Sequence, residues 1–227
     1  MRALIIEHDP LSTPERVGDH LESRGFTLDP FVVVEDISHP EVTATFPERD
    51  GLDLVVVMGA PWSAYDPRLE GWVRPEVEFV RSHLGRGTPI LGVCFGAQIM
   101  STSLGGTVFP ASRPEYGWRD IESEEPAVAE GPWFQYHADE FTLPDGATSL
   151  AHNDSGLQAF SHGLSLAVQF HPEVTASLLA SWCKVGGDRK LIEAGLDPDE
   201  LIEETDRLAG VTQPALEAML DWWLDGT

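Results

Sequence analysis

The chain has 227 residues, 42% of them hydrophobic, and a formal net charge of −24 from 14 basic and 38 acidic residues. The length fits one large α/β domain better than two small ones, and the acidic charge argues against nucleic acid or an anionic membrane as partner. Only Cys94 and Cys183 are present, too few for a disulfide framework, so a cytoplasmic setting is expected. The sequence also predicts no signal peptide and no membrane span.

The first half of the chain alternates short apolar runs with helical patterns. The apolar runs predict buried strands at 3–6, 31–34, 52–58 and 89–93. Apolar residues at helical spacing, closed by glycines, predict helices at 14–25, 76–84 and 95–104. Because this alternation is typical of parallel sheets, we predict an α/β fold with an open, mostly parallel sheet flanked by helices.

The second half of the chain has a different pattern. From Val108 it consists of short β-like pieces separated by turns, which predict a mixed-strand extension of the same sheet. From about Val174 the pattern is helical. We therefore expect a sheet-bearing domain over 1–180 and a helical C-terminal extension over 181–227 that packs on it.

One predicted strand ends in a cysteine bracketed by glycines. Gly92 and Gly96 stand two residues either side of Cys94, and small residues there let a strand turn sharply into a helix with the central side chain strained outward. The first N–H groups of that helix have no partner inside it, so the Phe95 amide is a natural donor to a developing oxyanion. Taken alone, the motif fits a buried cysteine in a glycine-rich turn equally well.

A cysteine nucleophile needs a base to accept its proton and a carboxylate to orient that base. His171 ends an apolar run and is followed by Pro172 and Glu173. Proline biases the preceding residue towards extended backbone, in which residues two apart project to the same side, so His171 and Glu173 are expected to face the same way. Without Cys94, the simpler interpretation is a histidine with satisfied hydrogen bonds at a strand end.

The two motifs also occur in a recognisable order and separation. They are Gly92-Val-Cys-Phe-Gly-Ala-Gln98 and Gln169-Phe-His-Pro-Glu173. Together they resemble the class I (triad) glutamine amidotransferase family, and three further segments are similar to family stretches: Gly59-Ala-Pro61, Glu115-Tyr-Gly-Trp118 and Phe134-Gln-Tyr-His-Ala-Asp139. The resemblance covers roughly residues 1–180, implies a flavodoxin-like fold, and is strongest to stand-alone proteins similar to the glutaminase domain of GMP synthetase.

The resemblance implies hydrolysis of glutamine to glutamate and ammonia. Cys94 would attack the side-chain amide, His171 would carry the proton to the leaving ammonia and Glu173 would hold His171. The backbone amides of Ala60 and Phe95 would stabilise the oxyanion, by on the order of 3 kcal/mol per donor. Substrate contacts are implied for Gly59, Gln98, Tyr136 and His137. For Tyr136 and His137, packing and structural hydrogen bonding are nearly as good an explanation.

The chain departs from the family pattern at a few places. Ala97 stands where a histidine is common and Ala60 where a glycine is, but an amide donor needs no side chain. No phosphate-binding glycine loop of a synthetase follows Glu173, so ammonia would pass to a separate synthetase or acceptor subunit, or to water. Metal-ligand spacing is absent, so no cofactor is predicted. No functional role is predicted for His8, His20, His39 and His83, which lack metal-ligand spacing. Cys183 is interpreted as a packed thiol.

Three alternatives accompany the leading hypothesis. A γ-glutamyl peptidase or hydrolase would use the same triad on other γ-glutamyl amides. A relative of the serine hydrolases, with cysteine in place of serine at the strand–helix turn, would place its acidic residue and a late histidine on separate loops. The close spacing of His171 and Glu173 disfavours this alternative. A non-catalytic regulatory module of the same fold is disfavoured by the presence of all three triad residues.

Overall fold

The structure, a computed structural model, describes residues 1–47 and 51–227. Its strands are β1 (Arg2–Glu7), β2 (Thr27–Val32), β3 (Leu54–Val57), β4 (Ile90–Val93), β5 (Val108–Arg119), β6 (Glu122–Ser123), β7 (Trp133–Phe141), β8 (Thr148–Asn153), β9 (Gly156–His162) and β10 (Ser165–Val168). Its α-helices are α1 (Glu15–Ser23), α2 (Glu70–Arg86), α3 (Phe95–Ser103), α4 (Ala176–Trp182), α5 (Asp188–Glu193) and α6 (Pro198–Asp225).

The central sheet has the strand order β2–β1–β3–β4–β10–β9–β8–β6. Strands β2, β1, β3, β4 and β10 run parallel. Strands β9, β8 and β6 extend the sheet by antiparallel pairing. The predicted parallel sheet and its mixed-strand extension are therefore confirmed. In such sheets ligands bind beyond the carboxyl ends of the parallel strands, where the segments after β1, β3, β4 and β10 meet.

Both faces of the parallel strands are buried. In β1, Ile5 belongs to the apolar core that includes residues of α1 and α6, whereas Ile6 belongs to the core that includes residues of α2 and α3. Successive side chains of a strand point to opposite faces, so a strand covered on both sides is apolar at every position. This double burial explains the uninterrupted apolar runs of the sequence.

Strands β5 and β7 form a separate antiparallel ribbon, which the sequence pattern did not distinguish from the sheet extension. Trp118 and Phe134 of the ribbon pack in one apolar cluster with Leu179 of α4 and Leu201 of α6. An isolated bridge joins Phe134 to His171. The ribbon thus lies against the segment that follows β10.

The second strand is displaced from its predicted position. It covers Thr27–Val32 instead of 31–34 and includes Pro30. Proline is tolerated because β2 is at the edge of the sheet and pairs only with β1. The apolar residues Val33 and Val34 are buried just after the strand ends.

Helix α2 begins at Glu70, six residues before its predicted start, although Pro75 lies inside it. Proline lacks the N–H that would bond to the carbonyl four residues back. That carbonyl, of Gly71, accepts a hydrogen bond from the Ala44 N–H at 3.3 Å. A Cβ at Gly71 would stand 2.4 Å from the Val42 carbonyl oxygen, so the glycine permits this contact.

The C-terminal helices pack on the ribbon and on the sheet. Leu216, Leu220 and Trp223 of α6 lie in the same core as Val17 and Leu21 of α1. Between α4 and α5 the chain passes through a kinked turn at Cys183–Gly187. Within residues 1–47 and 51–227, no helix is long and apolar enough to cross a membrane.

Candidate active site

Cys94 lies at the sharp turn from β4 into α3. Its backbone has φ 50° and ψ −103°, a conformation that costs a non-glycine residue about 1–3 kcal/mol. A Cβ at Gly96 would stand 2.0 Å from the Val57 carbonyl oxygen, and one at Gly92 would stand 2.7 Å from the Gly96 carbonyl oxygen. The two glycines are therefore required for the close packing of the turn against β3 and α3, and that packing holds the cysteine in its strained conformation.

His171 and Glu173 form a buried pair beside Cys94. The His171 Nδ1 and Glu173 Oε1 atoms are 2.7 Å apart. The expected contact is present, but the backbone reason for it was wrong: Pro172 and Glu173 lie in a turn and not in an extended segment. The His171 N–H donates to the Phe134 carbonyl of the ribbon at 2.8 Å, which fixes the start of this turn.

The second ring nitrogen of His171 is left open. Its Nε2 has no hydrogen-bond partner of good geometry within the described residues, although Cys94 lies close enough to interact with the ring. Burial disfavours the charged ring, but Glu173 and Cys94 outweigh that effect and raise the pKa of His171 to about 10. The imidazolium is thus the favoured form at neutral pH, with Nδ1 held by Glu173 and the proton on Nε2 available to a substrate.

The loop after β3 reaches both residues. A Cβ at Gly59 would stand 3.0 Å from the His171 Cε1 atom and 3.8 Å from the Cys94 Cβ atom. This close approach requires a glycine. Ala60 follows on the same loop and lines a cavity beside His171. Phe95 is the first residue of α3, where a backbone N–H has no partner inside the helix.

Gln169, for which the sequence suggested no role, links Gln98 to Cys94. The Gln169 side-chain amide lies 3.4 Å from the Cys94 sulfur. Gln98 Nε2 donates in turn to Gln169 Oε1 at 3.4 Å. The buried Gln98 Oε1 atom has no hydrogen-bond partner among the described residues. The position of Gln169, two residues before His171, was the signal that could have identified it.

Tyr136 and His137 point to opposite faces of β7, as neighbours on a strand do. The Tyr136 hydroxyl lines the cavity and donates to the Gly187 carbonyl at 2.6 Å. His137 lies in a buried polar network, with Nε2 3.2 Å from Glu115 Oε2. The structure therefore brings Tyr136 to the site and places His137 outside the cavity wall.

A cavity of about 220 Å³ opens beside His171. The loop 59–61 forms one part of its wall, and Trp182 with residues 185–187, 189 and 190 forms another part. The Trp182 and His171 rings are 5.2 Å apart in an edge-to-face arrangement. Arg189 and Lys190 bring positive charge to this wall, and neither forms an ion pair within the described residues.

The remaining candidates from the sequence lie elsewhere. Cys183 follows α4 as a half-buried free thiol, and burial raises its pKa. His20 pairs with Asp221 at 2.8 Å, and His39 pairs with Asp36 at 2.9 Å. In the parts of the chain that the structure describes, no three histidine, cysteine or acidic residues are grouped so as to hold a metal ion.

Comparison with known proteins identifies this arrangement. The family model for glutamine amidotransferase class-I matches residues 17–181. The glutamine-hydrolysing GMP synthase of Rippkaea orientalis is 38% identical over 135 residues, which are 55% of this chain and 23% of that protein. The match thus spans less than a quarter of the relative's length.

Solved structures extend the likeness to the whole chain. A glutamine amidotransferase from Thermotoga maritima has a TM-score of 0.84 and 25% identity, over 99% of this chain and 98% of its own. A Thermoplasma acidophilum protein provisionally described as one component of a GMP synthase has a TM-score of 0.56 and 27% identity, over 77% of this chain and 85% of its own. With most of its length matched by the family model, the chain belongs to the class I glutamine amidotransferase family.

Proposed function

We propose that the chain hydrolyses the side-chain amide of glutamine through Cys94, His171 and Glu173. The Cys94 sulfur attacks the amide carbon, and the oxyanion that forms accepts hydrogen bonds from the N–H groups of Ala60 and Phe95. His171 gives its Nε2 proton to the nitrogen, the C–N bond breaks, and ammonia leaves a thioester on Cys94. Water then loses a proton to His171, attacks the thioester and releases glutamate. Glu173 keeps Nε2 turned to the sulfur throughout.

One observation carries this proposal. Cys94 is held in a strained backbone conformation at a strand–helix turn, and Gly59 approaches both its Cβ atom and the ring of His171. Strain of this kind persists only where the surrounding structure enforces it, and it is concentrated at functional sites. A merely buried thiol would need neither the strain nor an open imidazole nitrogen.

The proposal is tested by glutamate release from L-glutamine. We expect release by the wild-type chain and a loss of about 10³-fold or more in the Cys94→Ala variant. Cys183→Ala is the matched control, since it removes the other free thiol, and it should keep wild-type activity. Full activity in Cys94→Ala would refute the role of that residue, and a wild-type chain with no release, alone or with a synthetase added, would refute glutamine as the substrate.

For substrate contacts we propose Gly59, Gln98 and Tyr136. The open Gln98 Oε1 is a buried acceptor that an ammonium or amide N–H of the substrate would satisfy. His137 is assigned instead to the support of the ribbon, since its two nitrogens bond to Glu115 and to the Asp139 carbonyl. Arg189 and Lys190 are suited to the α-carboxylate of an amino-acid substrate.

We propose that a synthetase accepts the ammonia. The matched relatives named GMP synthase are about four times as long as the aligned segment, which is 23% of the Rippkaea orientalis protein. This chain would then supply ammonia to a synthetase subunit. Glutaminase activity that rises several-fold when a synthetase is added would support the pairing, and an unchanged rate would exclude that synthetase.

A second candidate function has its own observation. The cavity of about 220 Å³ lies on the side of His171, the residue that would protonate the leaving amine. An amine larger than ammonia fits there, so γ-glutamyl amides are the alternative substrates. A kcat/KM at least tenfold higher for a γ-glutamyl amide than for glutamine would favour this alternative, and the reverse ratio would favour glutamine.

We propose one domain over residues 1–180 with an extension over 181–227 packed on it. The apolar residues of α6 that join the core of the sheet support this division. We place the reaction in the cytoplasm because both cysteines are free thiols. Limited proteolysis tests the packing: α6 should resist cleavage as long as the sheet does.

A further inference from the structure

A second buried histidine lies behind the loop that carries Ala60. His8 follows β1 and is completely buried. Its Nδ1 atom is 2.9 Å from the Gly59 carbonyl oxygen, and its Nε2 atom is 2.9 Å from Glu76 Oε1 of α2. The Phe95 ring stands edge-on to the imidazole with centroids 4.6 Å apart. Sequence analysis gave this residue no role.

The two partners of His8 determine where its protons are. A carbonyl oxygen only accepts hydrogen bonds, so Nδ1 must carry a proton to bond to Gly59. The Glu76 carboxylate accepts the second proton, from Nε2. Burial lowers the pKa of His8, but Glu76 and the bond to the Gly59 carbonyl outweigh burial and raise it. His8 therefore donates from Nδ1 to the Gly59 carbonyl, and Glu76 favours the charged form of its ring.

The Gly59 carbonyl and the Ala60 N–H belong to the same peptide group. A non-proline peptide is planar and trans, so its C=O and N–H bonds point in opposite directions. The His8 hydrogen bond fixes the direction of the carbonyl and, through the planar group, the opposite direction of the N–H. A hydrogen bond accepted by the oxygen also polarises the peptide and strengthens its N–H as a donor.

We propose that His8 and Glu76 form a positioning pair that orients and polarises the Ala60 N–H towards the oxyanion of the reaction. The inference rests on the proposed function, in which Ala60 is an oxyanion donor. His8 touches neither the substrate nor Cys94 in this role. It acts through one peptide, so it should affect the step in which negative charge develops and leave the binding of substrate nearly unchanged.

The test compares two variants that differ in the donor at position 8. His8→Leu/Glu76→Gln removes the donor, and His8→Asn/Glu76→Gln keeps an N–H where Nδ1 stands. The Glu76 change in both avoids a buried unpaired carboxylate, which would itself destabilise the fold. We expect the leucine variant to lose about 10–100-fold in kcat with KM changed less than about threefold, since a weakened donor costs less than a deleted one. The asparagine variant should recover part of the loss.

Two controls distinguish a change in the Ala60 N–H donor from a general disturbance of the folded site. Alkylation of Cys94 by iodoacetamide forms no oxyanion, so its rate should stay within about twofold of wild type in both variants if the folded site persists. His20→Leu breaks the ion pair of another largely buried histidine, with Asp221, away from the site and should leave kcat unchanged. Equal kcat in the leucine variant and wild type would overturn the inference, as would parallel losses of kcat and alkylation.

A second measurement does not depend on glutaminase activity. The ¹⁵N resonance of the Ala60 amide reports the hydrogen bond accepted by the Gly59 carbonyl. It should shift in the leucine variant, return towards wild type in the asparagine variant and stay fixed in His20→Leu. An unshifted resonance would overturn the inference even if glutamine were not hydrolysed, whereas a shifted resonance in an inactive wild type would refute the proposed function alone.

Discussion

Two of the buried histidine–glutamate pairs lie against Gly59, and a comparison of the two shows what distinguishes them. His171 and Glu173 are 2.7 Å apart and separated by two residues, whereas His8 and Glu76 are 2.9 Å apart and separated by 68. His171 keeps Nε2 without a partner in the described residues, but both nitrogens of His8 are bonded. Both histidines are buried, and their glutamate partners help to raise the pKa of each.

The open nitrogen is therefore the distinguishing feature. A histidine that transfers a proton must present one nitrogen to the substrate, whereas His8 has both nitrogens bonded and none to offer. Changes to either pair, or to the Gly59 loop that both contact, should therefore affect the reaction in different ways.

Removal of the His171 Nε2 atom should have the largest effect on kcat. His171→Asn eliminates Nε2 while keeping a small polar side chain, and we expect kcat for glutamine to fall by about 10⁴-fold or more. Steady-state ammonia release measures this change. His20→Asn is the matched control, because it alters a histidine paired with Asp221 elsewhere, and an equal loss in both variants would contradict the assignment.

The Gly59→Ala substitution, which adds a methyl group to the loop that contacts His8 and His171, should have the next largest effect on catalysis. The Cβ of Gly59→Ala would stand 3.0 Å from His171 Cε1, so the ring or the loop must move by a few tenths of an ångström. We expect kcat/KM to fall by about 10²-fold because catalytic geometry is sensitive to such displacement. Gly85→Ala in α2 meets no atom within 4 Å and should behave as wild type. Full activity of Gly59→Ala would show that the loop does not position the reaction.

Neutralising Glu173 should move the pH dependence of the reaction. Glu173 raises the pKa of His171, which lies at about 10, so Glu173→Gln should bring that pKa down. The alkaline limb of the kcat/KM profile, where His171 loses its proton, should then shift to lower pH by more than about one unit. The exposed Glu217→Gln is the control. A profile that falls in height without shifting would indicate that Glu173 acts only on orientation.

Substitution of Glu7, the residue before His8, should have the smallest effect, and it should change only the free energy of unfolding. Burial and the charge of Asp9 raise the pKa of Glu7 from 4.5 to about 7. The folded state thus binds the Glu7 proton more tightly than the unfolded state, so ionised Glu7 destabilises the fold increasingly as pH rises from 4.5 through 7. Glu7→Gln should be more stable than wild type at pH 8, by urea unfolding, and nearly equal to it at pH 5. A gain that is the same at both pH values would refute the ionisation argument.

Much of the fold and of the proposed triad could be predicted from sequence because both depend on local patterns. Apolar runs revealed the buried parallel strands, and glycines around Cys94 predicted its turn. The β5–β7 ribbon was not recognised, since its strands have the same alternating pattern as those of a sheet extension. The position of β2 was wrong because the apolar run 31–34 was taken as the strand, whereas the observed edge strand begins at Thr27 and includes Pro30.

Local sequence was enough to predict the parallel sheet, the turn at Cys94 and the adjacency of His171 to Glu173, because each is encoded within a few neighbouring residues. Tertiary packing was needed to show which glutamine lies against the cysteine, which side chain of β7 faces the cavity, and which residue holds the Gly59 carbonyl. The His8–Glu76 pair joins residues 68 apart, from the end of a strand and the middle of a helix. Such a contact follows from the packing of α2 on the sheet, and no local pattern records it.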